Sequence, residues 1–195
     1  PVVNEVMFQK ANQPLEHPWF QEGQPPVILG VGRLEEQKDF PTLLRAFALL
    51  RKKQNARLII LGEGNLRKSL EALIKELGIE QDVELPGFNS NPYAFMKQAQ
   101  VFVLSSILEG LPTVLIEAMA LGTPVVSTDC KSGPKEIIEH SGYGRLVPIK
   151  NPEALALALE KTLHEAKPII DQATFSRYTS NEATLHYLRT AGFKV

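Results

Sequence analysis

The sequence lacks the features that would assign it to several common classes of protein. Among its 195 residues there is one cysteine, Cys130, so the chain cannot form an internal disulfide, which is typical of a reducing compartment. It contains no run of about 18 apolar residues and no signal-peptide pattern, so no segment is predicted to span or target a membrane. The formal net charge is only −1, which argues against nucleic acid or an anionic membrane as the main partner.

What the sequence does contain is enough for one globular domain. It is 44% hydrophobic and 22% charged, and a chain of this length can bury one sizeable core. We predict an interdomain linker over residues 1–26, where Asn, Gln, Glu and Pro dominate and no period of 2 or 3.6 persists. The domain itself is predicted over residues 27–167, and a tail with a terminal helix from Ser180 to Thr190 follows over residues 168–195.

Strands and helices alternate from Pro26 onward. The apolar runs are short and bounded by Gly or Pro, and the helices between them carry apolar residues at helical spacing. This order predicts right-handed βαβ units, hence an α/β fold with a doubly wound, Rossmann-like parallel sheet. The predicted strands are Val27–Val31, Leu58–Leu61, Val83–Leu85, Val101–Leu104 and Pro124–Ser127, and the predicted helices include Asp39–Gln54, Leu66–Leu77, Pro92–Gln98 and Pro152–Glu165.

Glycines recur directly after the predicted strands. The carboxyl ends of parallel strands meet at one edge of the sheet, and ligands of doubly wound sheets bind there. Glycine lets backbone approach a ligand closely or adopt a positive φ, although each glycine taken alone also fits an ordinary turn. The residues expected at this edge are Gly32 and Arg33, Gly62 and Glu63, Gly87 and Phe88, and Ser105 to Gly110.

The segment from Val101 to Thr128 carries two carboxylates around one helix, Glu109 before it and Glu117 on its second turn. A helix N-terminus after a glycine loop offers backbone N–H groups and a positive dipole end to phosphate. Carboxylates accept paired hydrogen bonds from vicinal hydroxyls. A nucleotide sugar, with phosphate between two sugars, satisfies both kinds of group, whereas an isolated glutamate pair is more often a solvated helix flank.

Three segments carry motifs in a fixed order. Glu109 to Val126 contains Glu-x7-Glu, Val31 to Phe40 reads VGRLEEQKDF, and Gly133 to Ile138 reads GPKEII. Together they resemble the signature motifs of family 4 glycosyltransferases, retaining enzymes with the GT-B fold. The resemblance covers about Val27 to Leu159 and implies the C-terminal, donor-binding half of such an enzyme.

The resemblance also implies roles for individual residues. Glu117 would bind the ribose hydroxyls, and Glu109 the hydroxyls of the transferred sugar. Arg33 and Lys38 would stabilise the leaving diphosphate together with backbone amides at the helix N-terminus. Retention in this family requires no protein nucleophile; Glu109 is a possible one, but hydroxyl binding is its expected role. The further donor contacts implied are Gly32, Gly62, Gly87, Phe88, Asn89, Gly110, Leu111, Pro112 and Thr113.

The motif that commonly holds a catalytic metal in such reactions is missing. Many enzymes neutralise a leaving nucleoside diphosphate with a divalent metal held by carboxylates, but the sequence contains no Asp-x-Asp. We therefore predict a metal-independent enzyme with no cofactor, whose nucleotide sugar is a substrate.

The segment Asp129 to Glu136 departs from the family's usual Gly-Gly-x-x-Glu by having Ser-Gly-Pro-Lys. Related bacterial enzymes that transfer N-acetylhexosamines often look like this. The expected function is transfer of a hexose or N-acetylhexosamine from an NDP-sugar, expected to be UDP-linked, to a glycan or lipid-linked acceptor. We expect a bacterial enzyme of lipopolysaccharide or capsule biosynthesis in the cytoplasm, whose missing N-terminal half binds the acceptor and provides any peripheral contact with the inner membrane.

Two alternatives belong to other classes. Gly30-Val-Gly32 after a strand is compatible with a dinucleotide-binding oxidoreductase domain, but Glu35 stands where the third glycine is expected and Gly62 where an acidic residue is expected. The other alternative is a non-catalytic nucleotide-sensing module, which the sequence does not separate from an enzyme.

Overall fold

The protein is built on one parallel sheet of six strands. The computed structural model describes residues 2–169 and 171–179. Within them the strand order is β3-β2-β1-β4-β5-β6, and each neighbouring pair is parallel. This order confirms the predicted doubly wound fold. The strands are β1 (Val27–Val31), β2 (Arg57–Leu61), β3 (Val83–Gly87), β4 (Val101–Leu104), β5 (Val125–Thr128) and β6 (Arg145–Val147).

Helices connect the strands, and local signals set their ends. Asp39 caps α2 by accepting from Thr42 N–H at 3.4 Å, and Gly78 ends α3 in the left-handed conformation. No helix in the described part of the chain is long and apolar enough to cross a membrane. The helices are α1 (Glu5–Ala11), α2 (Phe40–Arg51), α3 (Arg67–Leu77), α4 (Pro92–Gln98), α5 (Thr113–Ala120), α6 (Pro134–Ser141) and α7 (Pro152–Leu163), with 3₁₀ helices at Pro18–Phe20, Glu36–Lys38 and Gln172–Tyr178.

The four central strands, β2, β1, β4 and β5, are mostly apolar and buried because both faces of the sheet are covered there. In β2, Leu58 and Ile60 belong to the core beneath α2, α3 and α7, whereas Ile59 and Leu61 belong to the core beneath α4 and α5. Successive side chains of a strand point to opposite faces, so each of these four central strands contributes to both cores. The sheet is therefore packed against helices on both faces, next to the edge where its loops emerge.

The first 26 residues contain secondary structure that the sequence analysis did not predict. Asn4 caps α1 by accepting from Met7 N–H at 3.0 Å, and only Met7 and Ala11 of the helix are buried. Two contact positions are too few to produce a recognisable helical period. Asn91 fixes the helix to the domain by donating to the Lys10 carbonyl at 3.0 Å. The interdomain role of this segment stays a prediction.

His17 anchors the rest of that segment by packing against the domain. Its Nε2 lies 3.0 Å from a carboxylate oxygen of Glu84. Its ring meets those of Trp19, Phe20 and Phe95 edge-on at centroid distances of 5.7 to 5.9 Å. A polar tip with a partner and an apolar body among aromatic rings is typical of a structural histidine.

The region between β5 and α7 contains more secondary structure than the sequence predicts. The sequence analysis assigned no element there, but the structure has α6 and the three-residue strand β6. Of β6 only Val147 is buried, which leaves no apolar run to detect. In the tail Phe175 is buried, whereas Ile169 is exposed; the predicted helix Ser180–Thr190 lies outside the described residues.

Gly62 connects the fold to the edge loops and provides a stability test. Its φ is +142°, and a Cβ there would stand 1.9 Å from the Gly32 carbonyl oxygen. We expect Gly62→Ala to lower the free energy of unfolding by at least about 3 kcal/mol, because both the backbone angle and the contact must change. Urea denaturation measures this quantity.

Gly78→Ala is the matched control. Gly78 also has a positive φ, +67°, but a Cβ there would meet nothing within 4 Å. The Gly78→Ala variant should lose only about 1 kcal/mol of unfolding free energy, the usual cost of an alanine in the left-handed conformation. Equal losses in the two variants would contradict the importance of the loop contact.

Candidate functional site

The strand order reverses between β1 and β4, and the loops that follow these two strands are bound to each other. Ile107 N–H donates to the Gln37 carbonyl at 2.9 Å, and Gln37 Nε2 donates to the Leu108 carbonyl at 2.8 Å. Ser105 Oγ donates to the Lys38 carbonyl at 2.7 Å. In doubly wound sheets ligands bind in the crevice at this reversal. The two loops therefore form one preorganised edge at the expected place.

An ion pair between Lys38 and Glu109 lies at the centre of this edge. Lys38 Nζ is 2.6 Å from Glu109 Oε1, and the two side chains are only 17% and 7% exposed. Ser106, itself fully buried, donates from Oγ to the same carboxylate oxygen at 2.5 Å. Two donors on one oxygen compensate the desolvation of the carboxylate and restrict its orientation. The structure thus brings together two of the three predicted catalytic residues, which lie 71 positions apart.

Arg33, the third predicted catalytic residue, occupies a different environment. Its side chain is 72% exposed and pairs with Glu35 at 3.1 Å, not with Glu109. An exposed ion pair of this kind contributes little to stability. The guanidinium is therefore accessible to an anion at the edge of the sheet.

Glu117 lies on α5 with a partner of its own. Tyr93, on α4, donates from its hydroxyl to Glu117 Oε1 at 3.3 Å. Burial raises the pKa of the Glu117 carboxyl, and the hydrogen bond from Tyr93 acts in the opposite direction. Burial and the neighbouring Glu117 charge raise the pKa of Tyr93, which keeps its hydroxyl protonated as a donor.

The N-terminus of α5 offers fewer amides than the sequence analysis expected. Pro112 has no N–H. Thr113 N–H donates to the Leu111 carbonyl at 2.9 Å. The amides of Gly110, Leu111 and Val114 are candidates for binding an anion, and Leu111 is exposed.

The loops after β2 and β3 continue the same edge. Gly62 N–H donates to the Gly87 carbonyl at 2.8 Å, and Gly32 N–H donates to the Leu61 carbonyl at 3.0 Å. Phe88, directly after Gly87, is 80% exposed. Asn89 accepts from Asn91 N–H at 2.7 Å. Hydrogen bonds between the loop backbones therefore explain why glycines occur here, without reference to a ligand.

The loop after β5 closes the other side. A Cβ at Gly133 would stand 2.5 Å from Pro112 Cδ and 2.7 Å from the Gly110 carbonyl oxygen. Glycine is therefore required for the Gly133 loop to approach the Glu109 loop. Burial and the Glu109 charge raise the pKa of the nearby Cys130 thiol, which keeps it protonated and a poor nucleophile.

Among residues 2–169 and 171–179, no three His, Cys, Asp or Glu side chains come together in a way that could hold a metal ion. Lys38 and Arg33 are two charged donors that this edge presents to an anion.

Sequence reasoning assigned no role to three residues that organise the site: Gln37, Tyr93 and Ser106, although Ser106 lies within the edge segment that it predicted. Ser106 carried a usable signal, since it is a polar residue at the end of an apolar strand and close before Glu109. Gln37 and Tyr93 carried none, because their partners Leu108 and Glu117 are remote in sequence.

Comparison with known proteins gives the family. Residues 14–182 match the model of the family described as glycosyl transferases group 1. An N-acetylgalactosamine-N,N'-diacetylbacillosaminyl-diphospho-undecaprenol 4-alpha-N-acetylgalactosaminyltransferase of Campylobacter jejuni is 43% identical over 140 residues, which cover 72% of this chain and 38% of that protein. An uncharacterized glycosyltransferase of Methanocaldococcus jannaschii is 45% identical over 134 residues, covering 67% of this chain and 32% of its own.

Solved structures agree at the level of the fold. The apo form of the lipopolysaccharide outer core galactosyltransferase WaaB superposes with a TM-score of 0.74 and 28% identity, covering 88% of this chain and 50% of that one. Anabaena HepE, solved with UDP and glucose, has a TM-score of 0.74 at 22% identity, covering 86% and 48%. This chain thus spans about a third to a half of the proteins it resembles.

The motif resemblance, the strand order and the family match lead to the same result. The motifs around Arg33, Glu109 and Gly133 all lie within the matched residues. The chain belongs to the group 1 glycosyltransferases.

Proposed function

We propose that the chain is the donor-binding domain of a retaining, metal-independent glycosyltransferase. Its reaction is the transfer of a hexose or N-acetylhexosamine from a UDP-sugar to a glycan or lipid-linked acceptor. The observation that carries the proposal is the 2.6 Å contact between Lys38 and Glu109. The bond broken in such a donor joins the sugar to the terminal phosphate, so a phosphate-binding cation and a sugar-binding carboxylate must be neighbours.

The charges at the edge suit that bond cleavage. As the sugar leaves, the diphosphate gains negative charge, which Lys38, Arg33 and the amides of Gly110 and Leu111 stabilise. Glu109 accepts hydrogen bonds from hydroxyls of the sugar, and Ser106 restricts its orientation before the donor binds. Preorganised groups of this kind need no rearrangement during the reaction.

The relatives support the choice of substrates. The Campylobacter relative is named for N-acetylgalactosamine transfer to an undecaprenol-linked acceptor, and WaaB for galactose transfer in the lipopolysaccharide outer core. HepE was solved with UDP and glucose, which makes UDP the first nucleotide to test. We propose that this chain is part of a longer protein. That protein would be cytoplasmic, would contain the acceptor site, and would make any peripheral contact with the membrane.

The alternatives are less well supported. The family match argues against a dinucleotide-binding oxidoreductase, and Glu35 stands at the position where such a domain has its third glycine. A non-catalytic nucleotide-sensing module differs from the proposed enzyme only in activity, which the transfer assays below measure.

UDP should bind without added metal, and Arg33 should contribute to the affinity. A charge-assisted contact to phosphate is worth about 1.5–3 kcal/mol, so Arg33→Ala is expected to weaken UDP about 10- to 150-fold. Titration calorimetry in the presence of EDTA measures both effects.

Arg45→Ala is the matched control, since Arg45 is exposed on the outer side of α2, and it should leave the affinity unchanged. A strict magnesium requirement would refute metal independence. Equal affinity of wild type and Arg33→Ala would place the diphosphate elsewhere.

The two glutamates should affect different kinetic constants in the longer protein. Glu117→Ala is expected to raise KM for the donor, because ribose is bound equally in the ground state and the transition state. Glu109→Ala should lower kcat by at least about tenfold, because its partner is the sugar undergoing reaction. Steady-state kinetics with a labelled donor separates the two effects, and the reverse pattern would exchange the assigned roles.

Residues 1–195 alone should bind UDP but transfer no sugar. Transfer requires an aligned acceptor hydroxyl and exclusion of water. We assign both to a further part of the longer protein, since this chain spans only 38% of its Campylobacter relative. A radiolabelled UDP-sugar incubated with the chain and simple sugar acceptors should show hydrolysis and transfer at background rates. Transfer above that rate would show that this chain holds the acceptor as well.

A further inference from the structure

We infer that Tyr93 is a positioning residue that orients Glu117 to accept both hydroxyls of the donor's ribose. The inference rests on the proposed function, which assigns ribose to Glu117. Its basis is the hydrogen bond of 3.3 Å from the Tyr93 hydroxyl to Glu117 Oε1, which joins α4 to α5. Neither the sequence motifs nor the family match assigns a role to Tyr93.

Tyr93 is well suited to fix the position of a carboxylate. It stands at the start of α4, next to Pro92, and its ring packs against the core cluster that includes Phe95 and Met96. Both of these neighbours are buried. The phenol is thus held by its ring and turns about only two torsions, whereas a glutamate side chain has three. The core thus fixes the Tyr93 ring, and the Tyr93 hydroxyl in turn fixes the more flexible Glu117 side chain.

The environment of Glu117 explains why such a donor is needed. The carboxyl is half-buried, and burial by itself favours its neutral form and raises its pKa. The ionised form is the better acceptor for ribose hydroxyls. A hydrogen bond from Tyr93 stabilises that ionised form and occupies one side of Oε1, which leaves Oε2 and the other lone pair of Oε1 for the ligand.

The consequence is selectivity for a nucleotide with ribose hydroxyls. Without Tyr93 the carboxylate remains present but samples other rotamers, so the loss should fall on the contacts to the 2′ and 3′ hydroxyls alone. Contacts to base and phosphate belong to other loops and should be unaffected.

The test compares UDP with 2′,3′-dideoxy-UDP, which lacks both hydroxyls, by titration calorimetry of the chain. Tyr93→Phe should weaken UDP about 5- to 12-fold, the upper range of one ordinary hydrogen bond, because Tyr93 acts on the ligand only through Glu117. It should change the affinity for 2′,3′-dideoxy-UDP less than about twofold, since that ligand does not use Glu117.

Two further variants distinguish positioning from a general structural effect. Tyr143→Phe removes a tyrosine hydroxyl that donates to the Ile169 carbonyl at 3.2 Å, and it should alter neither affinity. In a Glu117→Ala background, Tyr93→Phe should cause no further loss of UDP affinity, because the carboxylate that Tyr93 positions is absent.

Each outcome has a defined meaning. Equal weakening of both ligands by Tyr93→Phe, or no weakening of either, overturns the positioning role. Full additivity of Tyr93→Phe and Glu117→Ala overturns it as well. A wild-type chain that binds both ligands equally refutes the ribose role of Glu117, and one that binds no UDP refutes the proposed function itself.

Discussion

The buried ion pair between Lys38 and Glu109 is the interaction on which the candidate site depends. It joins the loop after β1 to the loop after β4, at the point where the strand order reverses. Removing one member of a buried pair leaves an uncompensated charge, at a cost of about 3–5 kcal/mol. Any effect of a Lys38 or Glu109 substitution is therefore mixed with an effect on folding, so the Glu109→Ala kinetics need a parallel measurement of stability, and Arg33 is the cleaner reporter of phosphate contact.

Backbone hydrogen bonds give the same two loops their shape before any ligand arrives. The bonds of Ile107 and Gln37 act like an additional short ladder beyond the ends of β1 and β4. The glycines follow the same principle, since Gly62 and Gly133 allow neighbouring loops to touch. The loops of such a site are already ordered in the folded protein. Ligand binding therefore costs little additional conformational entropy of the protein.

Much of the fold could be predicted because the signals are local. Strands buried on both faces are short apolar runs, and the prolines and glycines at their ends mark turns, so the five predicted strands occur in the structure with small changes at their ends. Helix α1 and strand β6 escaped detection because each buries too few residues to create a period. The Glu109 and Glu117 pair was found through its spacing, whereas Gln37 and Tyr93 act through partners remote in sequence.

The sequence by itself determined the class of fold, the family motifs and the identity of the charged residues at the sheet edge. These depend on periodicity and on residues close together in the chain, which are readable without coordinates. Only the tertiary structure decided which charges are paired. Lys38 meets Glu109 while Arg33 faces solvent, and Tyr93 rather than a lysine or arginine meets Glu117. The physical reason is that pairing depends on distances between loops and helices, which the packing of the sheet sets and local sequence does not encode.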